Sequence, residues 1–301
     1  MAQGIVVVTD STAYLPADAI AELPIEVVPL HVIMGDESGA DGIDVTPADV
    51  VRALGDKSIS VSTSRPTPEQ FVQTYGRLLD EGYERIVSVH ISSELSGTWD
   101  AARLAAQQVN GDCGEEVVRV VDSRETAMAL GFPVLMAARR AAAGGTIDEV
   151  YNTAVAAAEH PTNVFYVDTL EYLRRGGRIG AAQALLGTAL AVKPLLHLED
   201  GRIVPLEKVR TSARAIARMK AIAVEAARAE PGRVLVAVHH LAAPEKAEAL
   251  RDELIEAIPN ADEILISEIG AVLGVHVGPG MLAIIVVPVG DPSGAEPSAE
   301  S

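Results

Sequence analysis

Short β-branched runs alternate with helix-forming stretches along this chain, and that alternation restricts its fold more than any other feature. Residues 5–12, 86–91, 116–121, 164–168, 234–239, 263–267 and 281–289 read as strands, with 25–34 as a further extended run broken at Pro29. Helical patterns cover about 15–23, 47–54, 69–81, 99–106, 127–143, 147–160, 212–229 and 244–258. Strands that alternate with helices in this way predict an α/β protein with parallel-type sheets. Its 301 residues suit two α/β domains, divided near residue 161. The expected division is 1–160 and 161–290, with the polar stretch 291–301 as a disordered tail.

Local punctuation supports these boundaries. Thr46 before Pro47 and Thr146 after Gly144-Gly145 fit helix starts, and Pro161 fits a stop. Asp200-Gly201 between two apolar runs predicts a tight hairpin. Residues 35–42 read as a polar surface loop, and His276 sits in a glycine-bracketed loop over 270–280.

The strand at 86–91 and the helix that follows are joined by Ser92, Ser93, Glu94, Leu95, Ser96, Gly97 and Thr98. A helix start offers unpaired amide groups and the positive end of a dipole, and the hydroxyls add donors, so this junction suits an anionic head group. The plainer alternative is an ordinary helix cap by Ser93 or Ser96. A second hydroxyl cluster, Ser60, Ser62, Thr63, Ser64 and Thr67, precedes another helix. On one sheet edge, the two clusters would converge on one oxygen-rich group; otherwise Thr67 is a cap and the rest a solvated turn. The Val8-Thr9-Asp10-Ser11-Thr12 turn can approach the same crevice, although Asp10 also fits a simple cap.

Charge narrows the partners. With 42 acidic and 24 basic residues the formal net charge is −18, which opposes attraction to nucleic acid or anionic membranes. No apolar run reaches membrane-spanning length and no basic leader opens the chain, so a cytoplasmic protein with at most transient membrane contact is expected. Aromatic residues are only 3% of the chain, so cavities must have aliphatic walls. Cys113 is alone and the seven histidines lack zinc-type spacing, so neither a disulfide nor a metal site is expected. The most basic spot is Arg174-Arg175-Gly176-Gly177-Arg178, a contact patch for a phosphate or an acidic partner, or simply a solvated face. Lys208 and Arg210 precede a helix whose dipole they oppose, which points to another role.

Five stretches together resemble the DegV family of bacterial fatty-acid-binding proteins: residues 8–12, 62–66, 91–98, 172–179 and 276–280. The resemblance implies two α/β domains with a lipid site between them, and one long-chain fatty acid whose chain fills an apolar tunnel. By similarity Ser62 and Ser93 bind the carboxylate, with Thr63 and His276 close by and Gly97 and Thr98 in the same loop. Arg65 stands where relatives often have Gln and adds a charge to the head-group region. Arg174 and Arg210 fall where the family places portal or partner residues. The resemblance also implies a separate ATP-dependent fatty acid kinase subunit as partner, which makes the acyl phosphate. No cofactor and no catalytic residue are implied.

The rival reading is a serine hydrolase or acyltransferase with Ser93 as nucleophile and His276 as base. Neither a Gly-x-Ser-x-Gly elbow nor a phosphate-binding P-loop is present in the sequence. A third reading is a binding module for a phosphorylated metabolite.

Overall fold

β1 (Ile5–Asp10) is buried along its whole length because it has neighbours on both edges and helices on both faces. β2 (Ile25–Val28) lies on one side of it, β6 (Arg85–His90) and β7 (Val118–Asp122) on the other, all parallel, in the order β2-β1-β6-β7. Alternate side chains of β1 enter different cores. Val6 and Val8 meet α3 (Pro68–Asp80) and α4 (Thr98–Cys113), whereas Ile5 and Val7 meet α5 (Met128–Ala142) and α6 (Ile147–Glu159). The computed structural model describes residues 4–186 and 193–289, so the expected tail at 291–301 and the end of 181–190, which the sequence gives as an apolar run too short to span a bilayer, lie outside the described residues.

From β8 (Thr162–Tyr166) onward the strands belong to a six-stranded sheet. Its other members are β9 (Lys193–Glu199), β10 (Arg202–Val209), β11 (Val234–His240), β12 (Ala261–Glu268) and β13 (Leu282–Pro288), in the order β10-β9-β8-β13-β11-β12. Only β11 and β12 pair in parallel; the other four pairings are antiparallel. The parallel expectation therefore holds in the first sheet and fails in the second. Part of the reason is the Asp200-Gly201 turn, where both φ angles are positive (49° and 79°) and return the chain as a two-residue hairpin. α8 (Ser212–Ala229) and α9 (Pro244–Ala257) cover one face of this sheet. The other face meets α5, whose core extends to Leu235, Ala237, Ile285 and Val287, so one helix is shared by both sheets.

A third, small antiparallel sheet interrupts the first half, in the order β4-β3-β5, formed by β3 (His31–Met34), β4 (Glu37–Ala40) and β5 (Val61–Ser64). The extended run 25–34 is thus two strands in two sheets, and the expected surface loop 35–42 contains the strand Glu37–Ala40, returned by a turn at Gly35 and Asp36. α2 (Pro47–Gly55) and α10 (Ala271–Val277) pack on this small sheet through Leu30, Val32, Val50, Val272 and Val275. His276 accordingly sits on a short helix, not in a loop. Cys113 is the exposed last residue of α4.

Candidate functional site

The 91–98 loop is held by a buried polar chain that the sequence concealed. Asp10 accepts from Thr12 N (3.1 Å), capping the short turn after β1, and from Ile91 N (2.9 Å) at the start of the loop. Its other neighbour is His90 Nδ1 at 3.0 Å, and His90 Nε2 lies 2.7 Å from Ser88 Oγ, which lies 2.8 Å from Tyr75 Oη. Ser88, His90 and Asp10 are connected like a hydrolytic triad, but all three are 0% exposed and belong to the core, so they position the loop and meet no substrate.

Further along, Ser92 Oγ donates to Gly201 O (2.8 Å), which ties the loop to the β9–β10 hairpin of the other sheet. A Cβ at Gly201 would fall 2.4 Å from Ser92 Oγ, so the hairpin needs glycine for contact as well as for its φ. Ser93 donates from Oγ to Asp122 Oδ2 (2.6 Å) and from its amide to Oδ1 (3.2 Å), so its hydroxyl is engaged at the end of β7. Gly97 is the residue before α4, with Ser96 Oγ accepting from Thr98 N (3.3 Å) and lying 2.8 Å from Thr98 Oγ1.

Between the two large sheets lies a narrow cavity, part of it open to solvent. Its walls are mainly aliphatic, with Ile91, Leu95, Val164, Ile203, Val277 and Ile285 among them. Met281, Ala283 and Ile285 line it at alternate positions, so it follows β13 for about 14 Å, four residues at ~3.4 Å each.

At one end the lining is polar: Thr63, Ser96, Arg178 and His276. Thr63 Oγ1 and His276 Nε2 are 2.9 Å apart, whereas His276 Nδ1 is buried without a partner. Burial, then the Arg178 charge, push the His276 imidazole down to about 4, so the ring is neutral at pH 7. The ring is packed against Gly176, where a Cβ would fall 2.0 Å from Nδ1. Arg178 Nε donates to Leu95 O (3.0 Å) and Arg65 Nη1 to Gly97 O (2.9 Å), so two exposed guanidinium groups straddle Ser96. A cationic rim and a hydroxyl pair can hold an anionic oxygen group. At the other end are Glu125, Thr126 and Asn163, the last paired in register with Ile285.

The residues expected at the site do not all meet there. Thr63, His276, Arg65, Gly97 and the Ser96-Thr98 pair come together. Ser62 does not join them: Thr63 lines the cavity, so strand alternation turns its neighbour to the opposite face, and Ser62 is exposed. Ser93 is absent from the lining and bonded to Asp122, and His276 is bonded to Thr63, so the two do not form the nucleophile–base pair of the hydrolase reading. Arg174 is exposed and paired with Glu171 (2.8 Å), and Arg210 is exposed in the connection before α8. Lys208 belongs to β10 and not to the start of α8. Ser96 and Arg178 stood inside the stretches singled out from the sequence; Glu125 and Asn163 gave no local signal. Among the described residues no His, Cys, Asp or Glu group could hold a metal ion, and no helix is long and apolar enough to cross a membrane.

Two sheets around a slender aliphatic cavity with a cationic, hydroxyl-lined end define a two-lobed α/β protein whose interior is shaped for an amphiphile. The chain belongs to the DegV family, whose model, described as "Uncharacterised protein, DegV family", matches residues 4–289. It is 52% identical over 286 residues to the DegV domain-containing protein SCO2569 of Streptomyces coelicolor, covering 95% of this chain and 99% of that one. Among solved structures it is similar to a fatty-acid-binding DegV family protein from Thermus thermophilus, with TM-score 0.88 and 33% identity, covering 95% of this chain and 100% of the other. DegV, a fatty acid binding protein from Bacillus subtilis, has TM-score 0.84 and 32% identity, with 94% and 99% covered.

Proposed function

We propose that this protein binds one long-chain fatty acid in the cavity between its sheets and presents the carboxylate to a separate ATP-dependent fatty acid kinase. The observation that carries this reading is the cavity itself: aliphatic along β13, with Thr63, Ser96, Arg178 and His276 gathered at one end. Each buried methylene contributes about 0.8 kcal/mol, so the chain supplies most of the affinity. The polar end offsets desolvation of the carboxylate and sets its direction. His276, neutral before binding, gains a proton more readily beside an anionic oxygen. The exposed Arg65, Arg174 and Arg210 support a docking role for a partner with acidic or phosphate groups.

Native mass spectrometry and lipid extraction of the purified protein are expected to recover a fatty acid at one per chain. Protein that carries none and also refuses added oleate would remove the proposal. The kinase half is tested separately, by formation of acyl phosphate from ATP only when this protein and a fatty acid kinase are both present.

A further inference from the structure

The inner end of the cavity is a thin partition. Glu125 and Leu198 line the cavity and also line a second cleft, which opens to solvent between α6 and the Asp200-Gly201 hairpin. Glu125 is 7% exposed, and its backbone is fixed on both sides: the amide donates to Ser123 Oγ (3.1 Å) and the carbonyl accepts from Ser92 N (2.9 Å). Its carboxyl is fixed as well, because Asn163 Nδ2 donates to both oxygens, at 2.8 and 2.7 Å, while Asn163 Oδ1 accepts from Leu198 N at 2.7 Å. One amide side chain therefore holds both halves of the partition.

Bracing of the β7–α5 connection against the second sheet explains these bonds, but not why they stand across the line of the channel. Met281, Ala283 and Ile285 lead along β13 to Asn163, the register partner of Ile285, so a chain laid along β13 from the His276 end runs toward this pair. A terminal methyl gains nothing from a carboxyl that is already hydrogen-bonded, and pushing that carboxyl aside leaves the partly buried Asn163 amide without its acceptor, which is costly. We infer that the Glu125–Asn163 pair is the stop that sets the longest acyl chain this protein accepts, with Leu198 completing the wall. At ~1.3 Å of advance per bond, the roughly 14 Å along β13 takes about eleven bonds, so the stop discriminates among acids longer than about twelve carbons and leaves shorter ones unaffected.

This inference rests on the fatty acid reading, and the test separates the two. Binding to the full chain is measured by fluorescence displacement for saturated acids lengthened two carbons at a time from dodecanoic acid. Affinity is expected to rise with length up to a limiting acid and then to fall about tenfold or more over the next four carbons. Glu125→Ala removes ~4 Å of side chain from the partition, so the tail passes into the outer cleft and the fall is expected to vanish; an acid about four carbons beyond the former limit then binds about tenfold tighter than it does to the unmodified protein. Glu125→Gln keeps the bulk and a carbonyl acceptor for Asn163, and its length profile should match that of the unmodified protein. Leu198→Ala thins the same wall and gives the same readout as Glu125→Ala should that variant fold poorly. An unchanged limiting length in Glu125→Ala, or in Leu198→Ala where it stands in, would overturn the inference, as would a shifted limit in Glu125→Gln, which would make charge and not bulk the determinant. If no acid of any length binds the unmodified protein, the fatty acid reading falls and the length stop with it.

Discussion

Ala283 offers the sharpest test of where the acyl chain runs. It is 5% exposed and lies on the cavity wall between Met281 and Ile285, opposite Phe165 in the β8 register. Ala283→Leu pushes a branched side chain into the channel and closes the part beyond it, which extends two residues along β13, or about 7 Å. At about 1.3 Å of advance per carbon–carbon bond in an extended chain, that segment holds about five methylenes. Losing their burial at about 0.8 kcal/mol each costs about 4 kcal/mol, close to a thousandfold in Kd. Titration calorimetry with saturated acids of increasing length should show affinity rising about fourfold per methylene in the unmodified protein. In the variant the rise should match for short acids and stop about five methylenes sooner. The unliganded variant should keep its Tm or gain slightly, because the new side chain fills space without displacing packed atoms. An identical length profile in both proteins would refute the placement of the chain along β13.

Three further outcomes follow from the same geometry. Arg178→Ala, which removes an exposed cation from beside His276, should weaken oleate binding several-fold at low salt and by less at high salt, read by fluorescence displacement at two ionic strengths. His239 is buried, accepts from Met128 N at the start of α5 (3.1 Å), and burial pushes it down to about 4. Its contribution to stability is full above about pH 6.5 and is lost as pH falls toward 4, on the order of 3 kcal/mol, so urea melts of His239→Gln should show a shallower acid limb. Asp41 behaves oppositely: it accepts from Ser11 Oγ (2.9 Å) and from Ala271 N (2.8 Å) at the start of α10, and burial raises it to about 6. Its contribution is full below about pH 4 and lost as pH rises through 6, so Asp41→Asn should gain stability relative to the unmodified protein over that range; a constant offset between their pH profiles would contradict this.

Features set by neighbours in sequence were legible in the chain itself. Thr46, Thr67 and Thr146 each cap a helix through the amide three residues on, an interaction that needs no distant partner. The Asp200-Gly201 turn belongs to the same class, because its backbone angles follow from the two residues it uses. The site was legible only in part. Its loops were visible as hydroxyl and glycine clusters, but whether Ser62 or Thr63 meets the cavity depends on the register of β5 against β3. Ser93 looked available until the end of β7 placed the Asp122 carboxylate against it.

The sequence alone determined most of the longer strands and helices, the aliphatic character of the walls and the hydroxyl loops, since propensity, capping and composition act over a few residues; it missed the strand at Glu37–Ala40 and the short helix that carries His276. Only the tertiary structure decided that a mixed sheet follows a parallel one and that α5 serves both. It alone brought Thr63 to His276 across 213 positions and Asn163 to Glu125 across 38. The reason is physical: a contact between distant residues is fixed by how whole sheets and helices bury their faces against each other, and no short window of sequence contains both partners.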